Sequence, residues 1–370
     1  MSASEFIKAV TATLNAGTEA SELARRFMAP SRDVTRYVVG RNEQSMELIE
    51  KSAITGLIDD FSRDASDWCG VPVVNSFSVH SDAIIANCST SISPINVYRN
   101  LNRAGLRQIV SFSDLLKASP ETLNLPWFVE QQRKDVALHL QEWTQLYELL
   151  SDVQSKQTLL DVVRFRLSAD PVYMESYTVR LKDQYFETFL DSSRQVFVDA
   201  GGFDGDTTEE FCRRYPDYRK VFLFEPSPIN MAAARKQLAQ TRNVEFHEVG
   251  ISDHEGTLHF DTHAGSASSV TEDEGESITV TTLDCAIHEP VSWIKMDLEG
   301  WEIKALHGAQ RLIMEHSPQL TIAVYHRASD FRDIARYVLS INPTYRLHLR
   351  HYTQGWSETV MFFSPASSQG

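Results

Sequence analysis

The stretch VFVDAGGFDGDTTEEF, Val196 to Phe211, sets a glycine turn among carboxylates. Gly201, Gly202 and Gly205 follow an apolar run in the pattern A-x-G-x-x-G. Such glycines permit positive φ and let a ligand approach the backbone closely. A turn of this kind between strand and helix usually cradles a phosphate on the helix N-terminus. This one carries Asp199, Asp204, Asp206 and Glu209. Carboxylates at ~4 Å would repel a pyrophosphate by a few kcal/mol at an intermediate dielectric. The turn therefore suits a ligand with a cationic group. S-adenosylmethionine fits, because it bears an ammonium and a sulfonium and no phosphate. The turn residues expected around it are Asp199, Ala200, Gly201, Gly202, Asp204, Asp206 and Thr207. Asp206 and Glu209 also have the spacing of a capping box, a purely structural use.

Other candidates stand at the ends of later apolar runs, where open α/β sheets bind their ligands. Glu225 and Pro226 close VFLFEP. A strand-end acid there accepts hydrogen bonds from ribose hydroxyls, in a methyl donor or in NAD alike. Gly250, Ile251 and Ser252 close VEFHEVGIS, where an adenine could be sandwiched. Asp297 and Glu299 end WIKMDLEG and could position donor and acceptor hydroxyl, or instead hold Mg²⁺. His326 ends LTIAVYH and is the candidate general base, since an imidazole titrates near neutral pH. Lys295 could pair with a neighbouring acid. Gln184 and Tyr185, in KDQYFETF, would cover the cofactor if that segment is a helical lid. Arg164 and Arg166 could neutralise a cofactor carboxylate, and His351 and Tyr352 could reach the cleft from a terminal hairpin.

The elements that must hold these residues fall into four pieces. Residues 1–32 read as helical, ending near Pro30. Residues 33–117 alternate strand and helix signals: RYVVG, EQSMELIEKS, ITGLIDD, VPVVN, AIIANC, PINVYRNLNRAG and RQIVSF. That alternation marks a parallel α/β sheet. Residues 118–193 read as helices, VALHLQEWTQLYELLSDV, KQTLLDVVRFRL and VRLKDQYFETFL, bridging two sheets. Residues 194–370 are α/β again. The acidic run TEDEGES, Thr271 to Ser277, reads as a solvated loop. No internal repeat of fixed period is present.

Fifty acidic against thirty-five basic residues leave a formal charge of −15, which argues against a nucleic-acid partner. The four cysteines are widely spaced with no CxxC pair, the usage of reduced thiols in a cytoplasmic protein. The N-terminus has no basic region ahead of a long apolar run, so no signal peptide is expected. No apolar run is long enough to predict a membrane span.

WIKMDLEGWEIKALHGA, together with VDAGGFDGDT, FEPSP, GISDHEG and TLD in that order, resembles the FkbM family of S-adenosylmethionine-dependent methyltransferases. The resemblance covers about Arg194 to Phe363. It implies a class I methyltransferase fold: a mostly parallel, Rossmann-like seven-stranded sheet with a reversed final hairpin, here YRLHLRHY and ETVMFF. It also implies methyl transfer to a hydroxyl of a sugar, glycan or other hydroxylated metabolite. The family often has a glutamate or another polar residue where Tyr325 and His326 stand. The earlier α/β piece resembles small Rossmann-like domains that accompany some sugar-modifying enzymes, but has only Gly40 after its first strand. Two readings of other classes stay open at this point, an NAD-dependent oxidoreductase and a non-catalytic module that binds cofactor or glycan.

Overall fold

In the computed structural model the described residues are 1–17, 19–31, 33–62, 67–191, 193, 195–260 and 276–365. The acidic stretch 271–275 lies outside them. The chain divides into two compact units. The first comprises Met1–Tyr147, Gln157–Val179 and His351–Ser357; the second comprises Glu148–Lys156, Arg180–Arg350 and Glu358–Gly370.

The first unit is built on β1 (Arg36–Val39), β2 (Gly56–Ile58), β3 (Asp67–Trp68), β4 (Val71–Val74), β5 (Ile84–Asn87) and β6 (Ile109–Ser111). Their order is β3-β4-β2-β1-β5-β6, parallel except for β3. Consecutive apolar residues explain why both faces are covered. Val38, Leu57 and Ile84 join one buried cluster, while Val39, Ile58 and Ile85 join another. The N-terminal stretch forms two helices, Ala3–Leu14 and Glu22–Met28.

Residues 351–357 lie against the end of β5. Gln354 donates its backbone N–H to the Ile92 carbonyl, 2.7 Å away. Its side-chain oxygen accepts from the Asn96 N–H at 3.0 Å. That N–H sits in the first turn of the helix Pro94–Arg103, whose own Ser93 supplies no side-chain cap. Gln354 thus caps a helix 258 residues away in sequence. His351 and Tyr352, expected at the cleft, are buried within this unit. Arg164 and Arg166 also differ from expectation. Arg166 is fully buried and donates to Gln132 Oε1 and the Trp356 carbonyl, and Arg164 donates to Thr13 Oγ1 and lies over the Tyr173 ring. Both guanidiniums are thereby committed inside the first unit.

The second unit contains β7 (Val196–Ala200), β8 (Lys220–Phe224), β9 (Val244–His247), β10 (Gly250–Ile251), β11 (Gly256–Phe260), β12 (Glu276–Thr281), β13 (Trp293–Met296), β14 (Gln319–Ala323), β15 (Arg346–His351) and β16 (Thr359–Ser364). Seven of them form one sheet in the order β15-β16-β14-β13-β7-β8-β9. This is the class I methyltransferase arrangement, parallel up to β14 and then reversed by the antiparallel β16. The strand order changes direction between β7 and β13, and ligands bind such sheets at that point. The apolar run expected to continue to Gly250 stops at His247. Gly250 and Ile251 pair instead with β12 in a separate three-stranded sheet. The segment VRLKDQYFETFL is not a helix. Only a 3-10 turn forms, Leu181–Asp183, and Tyr185 then takes φ of 71°. Its helical periodicity yields to the burial of Tyr185 and Phe186.

Gln354→Ala should lower the stability of the chain by about 1–3 kcal/mol, because it removes the partner of the Asn96 N–H, of the Asn96 side-chain oxygen and of the Tyr177 carbonyl. Urea denaturation of the full chain measures this; an unchanged midpoint would show that the cap contributes nothing.

Candidate functional site

The floor of the site follows from strand register. Asp199 on β7 lies directly beside Lys295 on β13, and Phe197 beside Trp293, so all four side chains share one face. The helix Asp206–Arg214 covers that face with Thr208 and Phe211, three residues apart. Phe211 stacks on Phe197 with centroids 4.2 Å apart. One layer further along the strands, Lys295 Nζ lies 3.0 Å from Asp199 Oδ1. Asp199 Oδ2 accepts from Thr208 Oγ1 at 2.7 Å, and Nζ also donates to the Gly201 carbonyl at 2.6 Å. Burial opposes the charge on Lys295, but Asp199 and then Asp297 outweigh it and raise its pKa. The Asp199 carboxylate is fully buried. It holds the floor rather than facing the cavity.

The glycine turn rests on this floor. Gly201 has φ of 83°, and a Cβ there would collide with the Asp297 carbonyl, so only glycine lets the turn lie against β13. Gly205 caps the helix in the left-handed conformation with no side-chain bond. The expected capping box does not form, because Asp206 is already the first helical residue. Its Oδ1 accepts from the Thr207 N–H, and Glu209 accepts from Gln237. Asp204 accepts from the Asp206 N–H at 3.3 Å. Glu225 closes the other side. Its carboxylate accepts from the N–H groups of Phe203 and Ser227, at 3.0 and 2.9 Å. Burial raises the pKa of Glu225, and the same cause acts on Asp206.

Above the turn is a cavity of about 1180 Å³, and every residue lining it belongs to the second unit. Of the sequence candidates, Gln184, Tyr185, Gly201, Asp206, Thr207 and Glu225 line it. So do Pro226, Gly250, Ile251, Asp297 and Glu299. Asp199, Ala200, Gly202 and Asp204 stand behind or beside the wall. Ser252 is buried and accepts from the indole N–H of Trp301, which is itself a lining residue.

One end of the cavity is crowded with carboxylates. Asp297 Oδ2 accepts from Tyr185 Oη at 2.6 Å, and Tyr325 Oη lies 3.4 Å from Oδ1. Glu358 accepts from Gln184 Nε2 at 2.7 Å. Its carboxyl is pushed up to about 7 by burial and by the nearby Asp297. His326, beneath Asp297 and Glu299, is 6% exposed. Its Nε2 lies 3.5 Å from Asp297 and 3.4 Å from Glu299, and its Nδ1 lies 3.0 Å from Glu302. Burial disfavours the imidazolium, yet Glu302, Asp297 and Glu299 together raise its pKa to about 10. The expected general base is therefore protonated at neutral pH and cannot accept a proton there. Among the described non-glycine residues eight have positive φ, and four of them line this cavity: Tyr185, Phe203, Glu299 and Glu358. Strain concentrated in this way is a mark of functional sites.

The comparisons bear on this geometry. The model of the methyltransferase FkbM domain matches residues 199–347. The chain carries a methyltransferase FkbM domain. The solved structure of Methyltransferase FkbM from Methylobacillus flagellatus KT aligns with a TM-score of 0.73 and 23% identity, covering 97% of this chain and 98% of that one. At that identity the likeness is one of fold. An rRNA methylase from Streptococcus thermophilus covers 48% of this chain and 90% of its own, with 16% identity and a TM-score of 0.32. Precorrin-6y C5,15-methyltransferase from Geobacter metallireducens GS-15 covers 47% and 81%, with 12% identity and a TM-score of 0.29. Similarity at those TM-scores is too slight to build on. No curated protein matches the chain.

The cavity extends past the FkbM match. Gln184, Tyr185 and Glu358 lie outside 199–347, yet they form the wall facing Asp297. Glu358 and Trp301 are among the lining residues that sequence reasoning missed. Trp301 directly follows DLEG and was within reach of the motif, whereas nothing local to GWSETV marks Glu358. No described helix is long and apolar enough to cross a membrane.

Asp199→Asn should destabilise the chain by about 3–5 kcal/mol, the typical cost of stranding one partner of a buried ion pair. Adding Lys295→Met should recover part of that loss. Denaturation of the three proteins tests the pair; an Asp199→Asn chain as stable as wild type would remove Lys295–Asp199 from its place as the floor.

Proposed function

We propose that this chain is an S-adenosylmethionine-dependent O-methyltransferase acting on a hydroxyl of a sugar, a glycan or another hydroxylated metabolite. The observation that carries the reading is the charge of the cavity wall. Seven carboxylates line it against three cations, Lys182, Arg213 and Lys295. Lys295 is bound to Asp199 and Arg213 to Glu210. A pyrophosphate would meet net repulsion, which disfavours the NAD reading, whereas an ammonium and a sulfonium would be attracted. The donor set fits S-adenosylmethionine on other grounds too. Glu225 stands at the end of β8, where ribose hydroxyls bind in such sheets. Ile251, Pro226, Leu258 and Val280 give an apolar face for an adenine. Bound there, the donor supplies an electrophilic methyl group.

The protein's part is then alignment and proton transfer. Tyr185 and Tyr325 fix Asp297 at the acceptor end. Glu358 is the proton acceptor we assign, because it lines the cavity beside Asp297 and His326 already carries a proton. Glu358 would take the hydroxyl proton while the acceptor oxygen displaces the sulfur from the methyl group that a bound donor would supply. Its carboxyl is held at about 7, so it is protonated below that pH and competent above it. The rate should rise as pH climbs through about 7 and then level. The acceptor class is the family's expectation, and the cavity's dimensions admit it.

The test is transfer of a labelled methyl group from S-adenosylmethionine to a panel of sugars and other hydroxylated acceptors. Label should move to an acceptor oxygen, and Glu358→Gln should slow transfer by ~10²–10⁴-fold while donor affinity changes little. Label that appears on nitrogen or carbon, or on no acceptor at all, would defeat the proposal. A wild-type rate that rises only toward pH 10 would return the proton to His326.

A further inference from the structure

The cluster beneath the acceptor end has more anionic charge than its cations balance, and its histidine is poorly served. His326 is 6% exposed, and neither ring nitrogen has a hydrogen-bond partner among the described residues. Nδ1 lies 3.0 Å from Glu302 Oε1, within ion-pair distance. Glu302 is fully buried, its Oε1 accepts from the Leu298 and Gly300 N–H groups, and its Oε2 has no hydrogen-bond partner. Asp297, Glu302 and His326 each present a ligand atom, and the three atoms lie within 4.8 Å of one another.

We propose that Asp297, Glu299 and His326 Nε2 form a binding site for one divalent cation of the Mn²⁺ type, with Glu302 as the carboxylate that orients the imidazole. The separations of Nε2 from Asp297 Oδ1 and Glu299 Oε2, 3.5 and 3.4 Å, are within about 0.5 Å of the edge of an octahedral shell whose bonds are ~2.1 Å, so small side-chain rotations close the shell. The ring has two sides, and they are not equivalent. The Nδ1 side is closed by Glu302, whose Oε1 is already committed to the backbone. The Nε2 side opens through Asp297 and Glu299, both of which line the cavity. Carboxylate, then imidazole, then metal is the recurrent outer-shell order for a histidine ligand.

The ligand set names the class of ion. Two carboxylates suit Mg²⁺, Ca²⁺ and Mn²⁺, while the imidazole favours a first-row transition ion over the two that prefer oxygen alone. Mn²⁺ satisfies both. Three protein ligands leave positions open toward the cavity, where an acceptor hydroxyl could coordinate and become more acidic. That last role rests on the methyl-transfer reading, but binding of the ion does not.

The full chain, stripped with EDTA and desalted, would be titrated with Mn²⁺ while the electron paramagnetic resonance signal of the free ion is followed. One Mn²⁺ should bind per chain, with Mg²⁺ and Ca²⁺ competing weakly. His326→Ala and Asp297→Asn should weaken binding by at least ~10-fold, and Glu302→Gln by ~10–100-fold. Glu299→Gln, altering a side chain that is 62% exposed, tests the site without endangering the fold and should also weaken it. Glu289→Gln, on a surface ion pair elsewhere, should leave binding unchanged. Absence of Mn²⁺ binding, or equal binding by wild type and Glu299→Gln, would overturn the proposal. S-adenosylmethionine binding, measured on the same stripped protein, keeps failure of the metal site distinct from failure of the donor reading.

Discussion

The second unit depends on one buried ion pair. Lys295 and Asp199 meet across β13 and β7, where the strand order reverses and a cleft must open. Taking two charges out of water costs more than their mutual attraction usually returns. Here the remaining hydrogen-bonding capacity is used: Thr208 bonds the carboxylate and the Gly201 carbonyl takes an ammonium proton. One pair thereby fixes three things at once, the register of two strands, the first turn of a helix, and the path of the glycine turn. The aromatic layer of Phe197, Phe211 and Trp293 below it supplies the apolar burial that holds the same parts together.

Above the floor the chain accepts local cost. Tyr185, Phe203, Glu299 and Glu358 hold positive φ without being glycine, and each of them turns a side chain or a backbone N–H toward the site. Carboxylates are packed closely enough to perturb one another. Glu358 and the deeper Asp330 are both pushed to about 7, mainly by burial and then by neighbouring acids, while His326 is held at about 10. These shifts describe an excess of negative charge awaiting cationic partners. A sulfonium donor would answer it at one end of the cavity and a divalent ion at the other.

Much of the fold was legible in the sequence because it is written in local pattern. Apolar runs marked the buried strands, GGFDG marked the turn, and the two segments flanking the terminal turn marked the reversed hairpin. What local pattern misplaced was decided by tertiary context. VRLKDQYFETFL has helical spacing, but Tyr185 must reach Asp297 and the chain bends to let it. Asp206 looked like an N-cap until Gly205, free to adopt φ of 90°, took that position. Asp199 looked like a ligand residue because a strand-end acid reads the same whether it faces a cavity or a lysine on the next strand. Glu358 was invisible because its role depends on Gln184 and Asp297, which are remote in sequence and meet it only in the folded chain.

The most direct measurement is calorimetric titration of the full chain with S-adenosylmethionine and, separately, with NAD. The account predicts that S-adenosylmethionine binds at least about tenfold more tightly, a difference of ~1.4 kcal/mol. Because the attraction is electrostatic, the preference should shrink as salt is added. NAD binding as tight as or tighter than S-adenosylmethionine would contradict the claim that the acidic turn selects a cationic ligand.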